Sequence, residues 1–276
     1  MTERAPPELD AALVAAALGV ALRGALADAG LERWVIGVSG GLDSALAAAL
    51  AVEACGPESV RAFFMPGRVT TPESAAAAEE VADRLGIGLE TVSIEPLLQA
   101  APLPAGAERR RGNFATRSRT AVLYDRAAEA DALVLGTSNK SELALGYTTR
   151  WGDMAADLWV LGDLYKTQVL DVARAMELPA TVVEREPSAE LWAGQTDEGE
   201  MGFSYGAADA ILYYYLDERR RPDQIVALGH SRETVEAVLA RVRSQAFKRR
   251  MPPVPKLSER TIGHDFLHPR VWRGPA

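Results

Sequence analysis

Short apolar runs alternate along the first half of the chain with segments whose apolar residues recur at helical spacing. The apolar runs predict strands at residues 34–38, 60–65, 89–94 and 132–135. The helical segments between them predict helices at 43–54, 72–85 and 114–130. This alternation predicts an α/β fold with an open, twisted parallel sheet and helices on both faces.

Long polar stretches separate the predicted helices in the second half. Helices are predicted at 164–178 and 204–218, whereas 148–163 and 187–203 are predicted to be long loops. Loops of this length in a compact domain are usually lids or binding loops. Residues 101–111, rich in Pro, Gly and Arg, are predicted to form a mobile surface loop.

The composition is that of an ordinary globular protein, with 48% hydrophobic and 25% charged residues in 276. We expect residues 1–276 to form one domain, with 251–276 as a lid or interface segment. The net charge of -8 argues against a nucleic-acid partner. The apolar stretch 11–22 is too short to span a membrane and follows acidic residues, which predicts a cytoplasmic protein with an N-terminal helix.

The most specific local feature is the segment Ser39-Gly40-Gly41-Leu42-Asp43-Ser44, between a predicted strand and a predicted helix. A strand that turns through glycines into a helix directs backbone N–H groups at one point, which suits a phosphate chain. No Lys follows the glycines, so the segment is neither of the two better-known phosphate loops. Asp43 beside phosphates predicts an intervening Mg²⁺. The alternative is an acid in the first turn of a helix.

This segment resembles the S-G-G-x-D-S loop of the ATP pyrophosphatase (PP-loop) superfamily, which implies an adenine nucleotide alpha hydrolase-like, Rossmann-like fold. Four further segments resemble the NAD synthetases of that superfamily, in order from Ser39 to about Lys248. They are Gly112-Asn113-Phe114 with Arg117 and Arg119, the run Gly-Thr-Ser-Asn-Lys-Ser-Glu at 136–142, residues 146–169, and the run 187–198.

The resemblance implies an ammonia-dependent NAD synthetase. Such an enzyme adenylates the nicotinate carboxylate of deamido-NAD with ATP and Mg²⁺, releases pyrophosphate, and lets ammonia displace AMP to form NAD. The resemblance also implies a homodimer with the dinucleotide at its interface. The run Tyr213-Tyr214-Tyr215 is compatible with that interface and equally with an ordinary core. Cys55 is unsuitable as a glutaminase nucleophile, so free ammonia is expected, and a separate glutaminase remains an alternative.

The resemblance implies which residues of this chain bind ATP, metal and substrate and which act in catalysis. The ATP-binding residues would be Gly37, Val38, Ser39, Gly40, Gly41, Leu42, Asp43, Ser44, Thr137, Lys166 and Ser188. The metal ligands would be Asp43 and Glu142. Deamido-NAD would contact Arg117, Arg150, Asp157, Phe247 and Lys248. The catalytic residues would be Asp43, Lys166 and Asp153, with Asp153 and Asp157 facing the substrate and the incoming amine.

Each assignment has a simpler structural alternative. Glu142 follows a predicted strand at the same sheet edge as Asp43, so both could hold one Mg²⁺, or Glu142 could support the first turn of a helix. Lys166 is a candidate point charge for the β- and γ-phosphates, or a solvated helix lysine. Arg117 and Arg119 point to different sides of a helix, so only one is expected to hold a ligand. Hydroxyls such as those of Thr137 and Ser188 are common in loops.

Four positions depart from the family pattern on the substrate side. Arg150 stands where the family often has Lys, Thr120 replaces Met, Val160 replaces Pro, and Phe247 stands where bacterial relatives often have His. These departures leave open an adenylate-forming ligase of the same superfamily that acts on a different carboxylate. A nucleotide-binding protein without catalysis is a third reading.

Overall fold

The structure, a computed structural model, describes residues 5–104, 106–188, 190–192 and 194–262. The strands are β1 (Arg33–Gly37), β2 (Val60–Phe64), β3 (Leu89–Thr91), β4 (Ala132–Gly136) and β5 (Leu158–Trp159). The helices are α1 (Ala11–Ala29), α2 (Leu42–Cys55), α3 (Pro72–Leu85), α4 (Glu95–Ala100), α5 (Glu108–Glu129), α6 (Lys140–Leu145), α7 (Lys166–Ala175), α8 (Ala180–Val183), α9 (Asp197–Met201), α10 (Tyr205–Leu212), α11 (Pro222–Ala227) and α12 (Arg232–Ser244).

The strands form one parallel sheet in the order β3-β2-β1-β4-β5. β1 is central, since it pairs with β2 on one side and with β4 on the other. The chain therefore crosses from one side of β1 to the other, and ligands bind at such a switch point, beyond the carboxyl ends of the strands. The predicted α/β class is confirmed.

Alternate residues of β1 face the two layers of the core. Trp34 and Ile36 pack with the alanine-rich α2, and Val35 packs on the opposite face with Phe63. Small side chains on α2 let the helix lie close to the sheet, which fixes the start of α2 at the end of β1. The orientation of the glycine-rich turn therefore follows from core packing.

A separate apolar cluster joins α6, α10 and α12. Leu145, Ile211 and Leu239 are buried in it, and the residues Tyr213–Tyr215 pack against it partly buried. The three tyrosines continue α10 as a π-helical turn, Tyr213–Asp217. This packing corresponds to the core alternative for the tyrosine run.

The boundaries differ from the predictions where short elements lie inside predicted loops. β3 ends at Thr91 and is followed by α4, and α5 begins at Glu108, so the predicted loop 101–111 is partly helical. β5 lies within the predicted loop 148–163, and α9 within 187–203. Two or five residues are too few to show a periodic pattern. The end of the predicted tail segment, 263–276, lies outside the described residues.

α1 is the predicted N-terminal helix, and it extends beyond the apolar stretch 11–22 to Ala29. The helix has 19 residues and is, by length and composition, apolar enough to cross a membrane. Asp10 caps its start through the N–H groups of Ala12 and Leu13, and Leu22 and Leu26 pack into the core. Core helices of soluble proteins pass the same test of length and composition, so this finding is weak evidence for a membrane span.

Candidate active site

A cavity opens at the carboxyl ends of β1 and β4, where the topology predicts a ligand site. It brings together most of the residues predicted to bind ATP or metal. Those that line it are Gly37, Val38, Ser39, Gly41, Leu42, Asp43, Ser44, Thr137, Glu142, Asp153, Lys166 and Ser188. The glycine-rich turn, the start of α6 and the start of α7 thus meet in one place.

Hydroxyl groups organise the turn between β1 and α2. Ser44 Oγ accepts a hydrogen bond from Ser39 N at 3.1 Å, and Ser39 Oγ accepts one from Gly41 N at 3.2 Å. Ser44 Oγ also donates to the Gly41 carbonyl at 2.9 Å. These contacts fold the turn into a compact loop at the start of α2, where an anion site can form.

Gly40 is the position in this loop that a side chain would disrupt. Its φ is +81°, and an added Cβ would lie 2.3 Å from the carbonyl oxygen of Ser74 in α3. In Gly41 the φ is -98°, and an added Cβ would come no closer than 3.3 Å, to Ser39 Oγ. The loop therefore needs glycine at Gly40 for both its conformation and its contact with α3.

We expect Gly40→Ala to lower the free energy of unfolding by about 1–3 kcal/mol from backbone strain, with a further loss from the contact with α3. Gly41→Ala is the matched control and should lower it by less than about 1 kcal/mol. Denaturant unfolding of both variants measures the difference. Equal midpoints would contradict the strained conformation at Gly40.

The centre of the site is a buried ion pair between Asp43 and Lys166. The Lys166 ammonium donates to Asp43 Oδ2, and the two side chains are only 9% (Lys166) and 16% (Asp43) exposed. Asn139 Nδ2 donates to Asp43 Oδ1 at 2.8 Å, so both carboxylate oxygens are held in place. The alternative of Lys166 as a solvated lysine does not fit this burial.

Glu142 joins the pair from the start of α6. Its carboxylate accepts a hydrogen bond from Asn139 N at 3.2 Å, and Asn139 Oδ1 accepts one from Glu142 N at 2.9 Å. This reciprocal capping box fixes the side chain toward Asp43. Helix support, which was the alternative to a metal role, is therefore present, and it also orients the carboxylate.

The charges of Asp43, Glu142 and Lys166 affect one another's pKa values. Burial and the negative charge of Asp43 raise the pKa of Glu142 well above its usual range. Burial alone would lower the pKa of Lys166, but the carboxylates of Asp43 and Glu142 outweigh it and raise that pKa. Two carboxyl groups and one ammonium therefore share a buried site in which the ionised form of Glu142 is unfavourable.

Asp197 is a third carboxylate at this site that the sequence analysis did not single out. It lines the cavity, is 5% exposed, and accepts a hydrogen bond from Tyr205 OH at 3.1 Å. Burial raises its pKa, and the positive charge of Lys166 opposes that rise. The signal was available, because Asp197 lies in the Thr-Asp-Glu run that closes the fourth matched segment.

Arg185 and Glu190 connect the loop after α8 to the glycine-rich turn. The Arg185 guanidinium donates to the Gly40 carbonyl at 3.3 Å, to Ser74 Oγ at 2.7 Å, and to Glu190. Ser74 Oγ donates to Glu190 at 2.5 Å. A second cation thus lies beside the turn, and no spacing in the sequence indicated it. Ser188 stabilises the same loop through a bond to the Gln195 carbonyl at 2.7 Å.

The two arginines of α5 separate as the helical spacing predicted. Arg119 lines the cavity and donates to the Met65 carbonyl at 3.0 Å, whereas Arg117 is exposed and donates to the Arg150 carbonyl at 3.2 Å. Desolvation lowers the pKa of Arg119. The cavity residue is therefore Arg119, and the resemblance had selected Arg117.

The residues predicted to bind the dinucleotide lie outside the cavity lining. Arg150 stacks on Phe247, with its guanidinium carbon 6.0 Å from the ring centroid. Lys248 donates to the carbonyls of Gly146 and Thr148 at 2.6 and 2.7 Å, so its ammonium stabilises the chain there. Asp157 accepts a bond from Val134 N at 2.7 Å and holds the edge of β4.

The chain is similar to several known proteins. A relative from Trichlorobacter lovleyi, named NH(3)-dependent NAD(+) synthetase, is 47% identical, with 88% of this chain and 90% of the relative covered. One of the same name from Chlorobaculum tepidum is 44% identical, with 96% of each covered. The solved NMN synthetase from Francisella tularensis matches with a TM-score of 0.79 and 30% identity, over 91% of this chain and all of that one.

The solved NH3-dependent NAD synthetase from Campylobacter jejuni matches with a TM-score of 0.76 and 27% identity, over 90% of this chain. The model of the family described as NAD synthase matches residues 14–252, which include β1, the glycine-rich turn, Glu142 and Lys166. The match thus spans all the elements that build the cavity, and the chain belongs to the NAD synthase family.

Proposed function

We propose that this chain forms NAD from deamido-NAD, ATP and ammonia, through an adenylate intermediate. The observation that carries the proposal is the convergence of Asp43, Glu142 and Lys166 on the glycine-rich turn in one cavity. The names of the relatives support the substrate. The proposed cellular location is the cytoplasm.

In the proposed reaction a carboxylate oxygen of deamido-NAD attacks the α-phosphorus of ATP, and the bond to the β-phosphate breaks to release pyrophosphate. Ammonia then attacks the activated carbonyl carbon, loses a proton, and AMP leaves with the bonding electrons. Lys166 and the N–H groups of the turn would hold the phosphates as charge moves onto the leaving group. Holding both reactants in line would supply much of the rate.

The donor set fits Mg²⁺. Asp43 and Glu142 would hold the ion, which when bound offsets the charge of the phosphates. Burial and the neighbouring Asp43 charge make the ionised form of Glu142 unfavourable, and a divalent cation would favour it. Within the described residues no three His, Cys, Asp or Glu side chains converge as a metal site. Phosphate oxygens and water would therefore complete the coordination.

The cavity also supplies a place for the base and the ribose. Met65 and Leu123, which lie beside Gly37, contribute an apolar part of the cavity lining. Flat apolar walls suit the adenine ring, and Arg119 lies at the same side to contact a polar group of the nucleotide.

We also propose a homodimer that completes the dinucleotide site. Arg117, Arg150, Phe247 and Lys248 form a neighbouring surface outside the cavity, and Phe247 is 52% exposed. A dinucleotide that begins in the cavity and reaches this surface would be covered only by a second copy. Sedimentation of the chain, with and without deamido-NAD, measures the oligomeric state.

Pyrophosphate release from ATP and Mg²⁺ tests the function, with NAD formation followed in parallel. Deamido-NAD and ammonium should give pyrophosphate, AMP and NAD in equal amounts. Nicotinate mononucleotide is a necessary second substrate, because one structural neighbour is named NMN synthetase. Turnover of the mononucleotide alone would support the alternative of a different carboxylate. Glutamine in place of ammonium should give no turnover without a separate glutaminase.

Asp153 provides a pH test of ammonia capture. Although the residue as a whole is exposed, it lines the cavity, and desolvation by the surrounding protein raises the pKa of its carboxyl to about 6. Its carboxylate accepts a bond from Thr149 N at 2.6 Å. Above pH 6 the group is charged and can attract ammonium, and below it the group is neutral.

We expect wild type to exceed Asp153→Asn in kcat/KM for ammonium by about tenfold or more at pH 8. The ratio should fall toward one below pH 6, because a protonated Asp resembles Asn. The ratio cancels the ionisation of ammonia itself. Asp163→Asn, whose side chain is 94% exposed, is the control and should match wild type at every pH. A ratio that does not change with pH would contradict the role of Asp153.

A further inference from the structure

Asp209 is a buried carboxylate that the proposed reaction does not use. It lies in α10, is fully buried, and is one of few charged side chains so placed among the described residues. Burying a carboxylate is unfavourable unless hydrogen bonds or charges compensate. Its surroundings therefore indicate what the buried charge does.

Both oxygens of Asp209 are bonded to the starts of two other helices. Oδ1 accepts a hydrogen bond from Ser141 Oγ at 2.5 Å, in α6. Oδ2 accepts one from Thr167 N at 2.8 Å, in α7. Ser141 Oγ in turn accepts from Lys166 N at 2.9 Å. One carboxylate thus satisfies the first two backbone N–H groups of α7, directly and through a hydroxyl.

These two helix starts carry the groups that converge on Asp43. Lys166 is the first residue of α7, and Glu142 follows Ser141 in α6. The negative charge of Asp209 near the N-terminus of α7 also interacts favourably with the dipole of that helix. α10 itself is anchored by Ile211 and Leu212 in the buried cluster that includes Leu145, so the carboxylate is held rigidly.

We propose that Asp209 is a positioning residue that sets the distance between Lys166 and Glu142 and thereby the fit of the ATP phosphates. The proposal rests on the proposed function of the site. Asparagine has only one oxygen to accept these two hydrogen bonds. If that oxygen accepts from Thr167 N, the NH₂ turns the Ser141 hydroxyl from a donor into an acceptor, and if it accepts from Ser141, the NH₂ faces the Thr167 N–H. One helix start would then shift, and Lys166 or Glu142 with it.

The test measures binding of a non-hydrolysable ATP analogue with Mg²⁺, by titration calorimetry, in wild type and Asp209→Asn. Displacing groups by a fraction of an ångström in such sites lowers binding or rate by about 10- to 100-fold. We expect a loss in that range for the analogue, and affinity for deamido-NAD within about twofold of wild type. Binding of the analogue does not require turnover. If wild type binds the analogue but does not form NAD, the result contradicts the proposed function and leaves the positioning role of Asp209 standing.

Two further variants separate positioning from a loss of folding. Val238→Ala, in the same buried cluster but in α12, should lower thermal stability while leaving analogue binding unchanged. Ser141→Ala removes only the hydroxyl link, and combining it with Asp209→Asn should give no loss beyond that of Asp209→Asn. If Asp209→Asn does not fold, Ser141→Ala becomes the test. It should then weaken binding of the analogue and leave binding of deamido-NAD unchanged.

Wild-type analogue binding in folded Asp209→Asn would overturn the proposal. Equal losses for the analogue and deamido-NAD would overturn it too, because a general loosening of the fold predicts them. So would a double variant whose loss is the full sum of the two single losses, since independent effects add.

Discussion

Asp43→Asn is expected to reduce NAD formation by about 10³-fold or more while leaving the chain folded. Asparagine keeps the acceptor for Asn139 but presents an amide to Lys166 in place of a carboxylate oxygen. The variant removes one proposed metal ligand and the partner of Lys166 together, and losses of 10²- to 10³-fold are typical for a single group that stabilises transition-state charge. The measurement is pyrophosphate release at saturating ATP.

The fold should survive this change because Glu142 can take over as the partner of Lys166. The charge of Asp43 helps to raise the pKa of Glu142, so its removal lowers that pKa and favours the ionised form. Glu73→Gln is the matched control. Glu73 is the second residue of α3, as Asp43 is of α2, and it is not among the residues that line the cavity.

Full activity in Asp43→Asn would reduce Asp43 to an acid in the first turn of a helix, which was the alternative from the sequence. Equal losses in Asp43→Asn and Glu73→Gln would point the same way, because both changes remove a charge from the same position of a helix. Unfolding curves for the two variants show whether any loss of activity is a loss of structure.

The second large effect is expected for Lys166→Met, which should lower kcat/KM for ATP by about 10²- to 10³-fold. Methionine fills a similar volume without charge, so the ammonium available to the phosphates is lost. Asp43 and Glu142 would then face each other without a cation. The pKa of Glu142 would rise further, and the protonated form would limit the loss of folding free energy.

Lys140→Met is the control for this variant. Lys140 is the first residue of α6, as Lys166 is of α7, and it pairs with Asp217 at 2.8 Å and Asp163 at 3.1 Å, away from the cavity. A partly exposed pair of this kind contributes about 0–1 kcal/mol. Activity of Lys140→Met should stay close to wild type. Wild-type ATP kinetics in Lys166→Met would remove Lys166 from the proposed mechanism.

The sequence alone predicted the features that depend on local pattern. α3 begins and ends as predicted, because Thr71 caps its start, Pro72 opens it and Gly86 closes it in a left-handed conformation. β1, the glycine-rich turn and α2 follow from one apolar run, two glycines and an alanine-rich segment. The family resemblance and the α/β class are confirmed.

The features that sequence reasoning missed depend on contacts between distant segments. Asp209 meets Ser141 across 68 residues, and Arg185 meets Ser74 across 111. Neither pair belongs to a pattern with a fixed spacing. The sequence analysis named Arg119 but did not predict that it faces the cavity. Helical spacing predicts that Arg117 and Arg119 point in different directions, but it does not say which one faces the sheet. The roles of individual site residues remain predictions.

The central position of β1 determines how the protein can open. β1 is bonded on both sides, so we expect its amide hydrogens to exchange with solvent more slowly than those of the edge strands, and the floor of the phosphate site with them. β5 lies at the edge and is held by two register pairs. We therefore expect the amide hydrogens of β5 to exchange before those of β1.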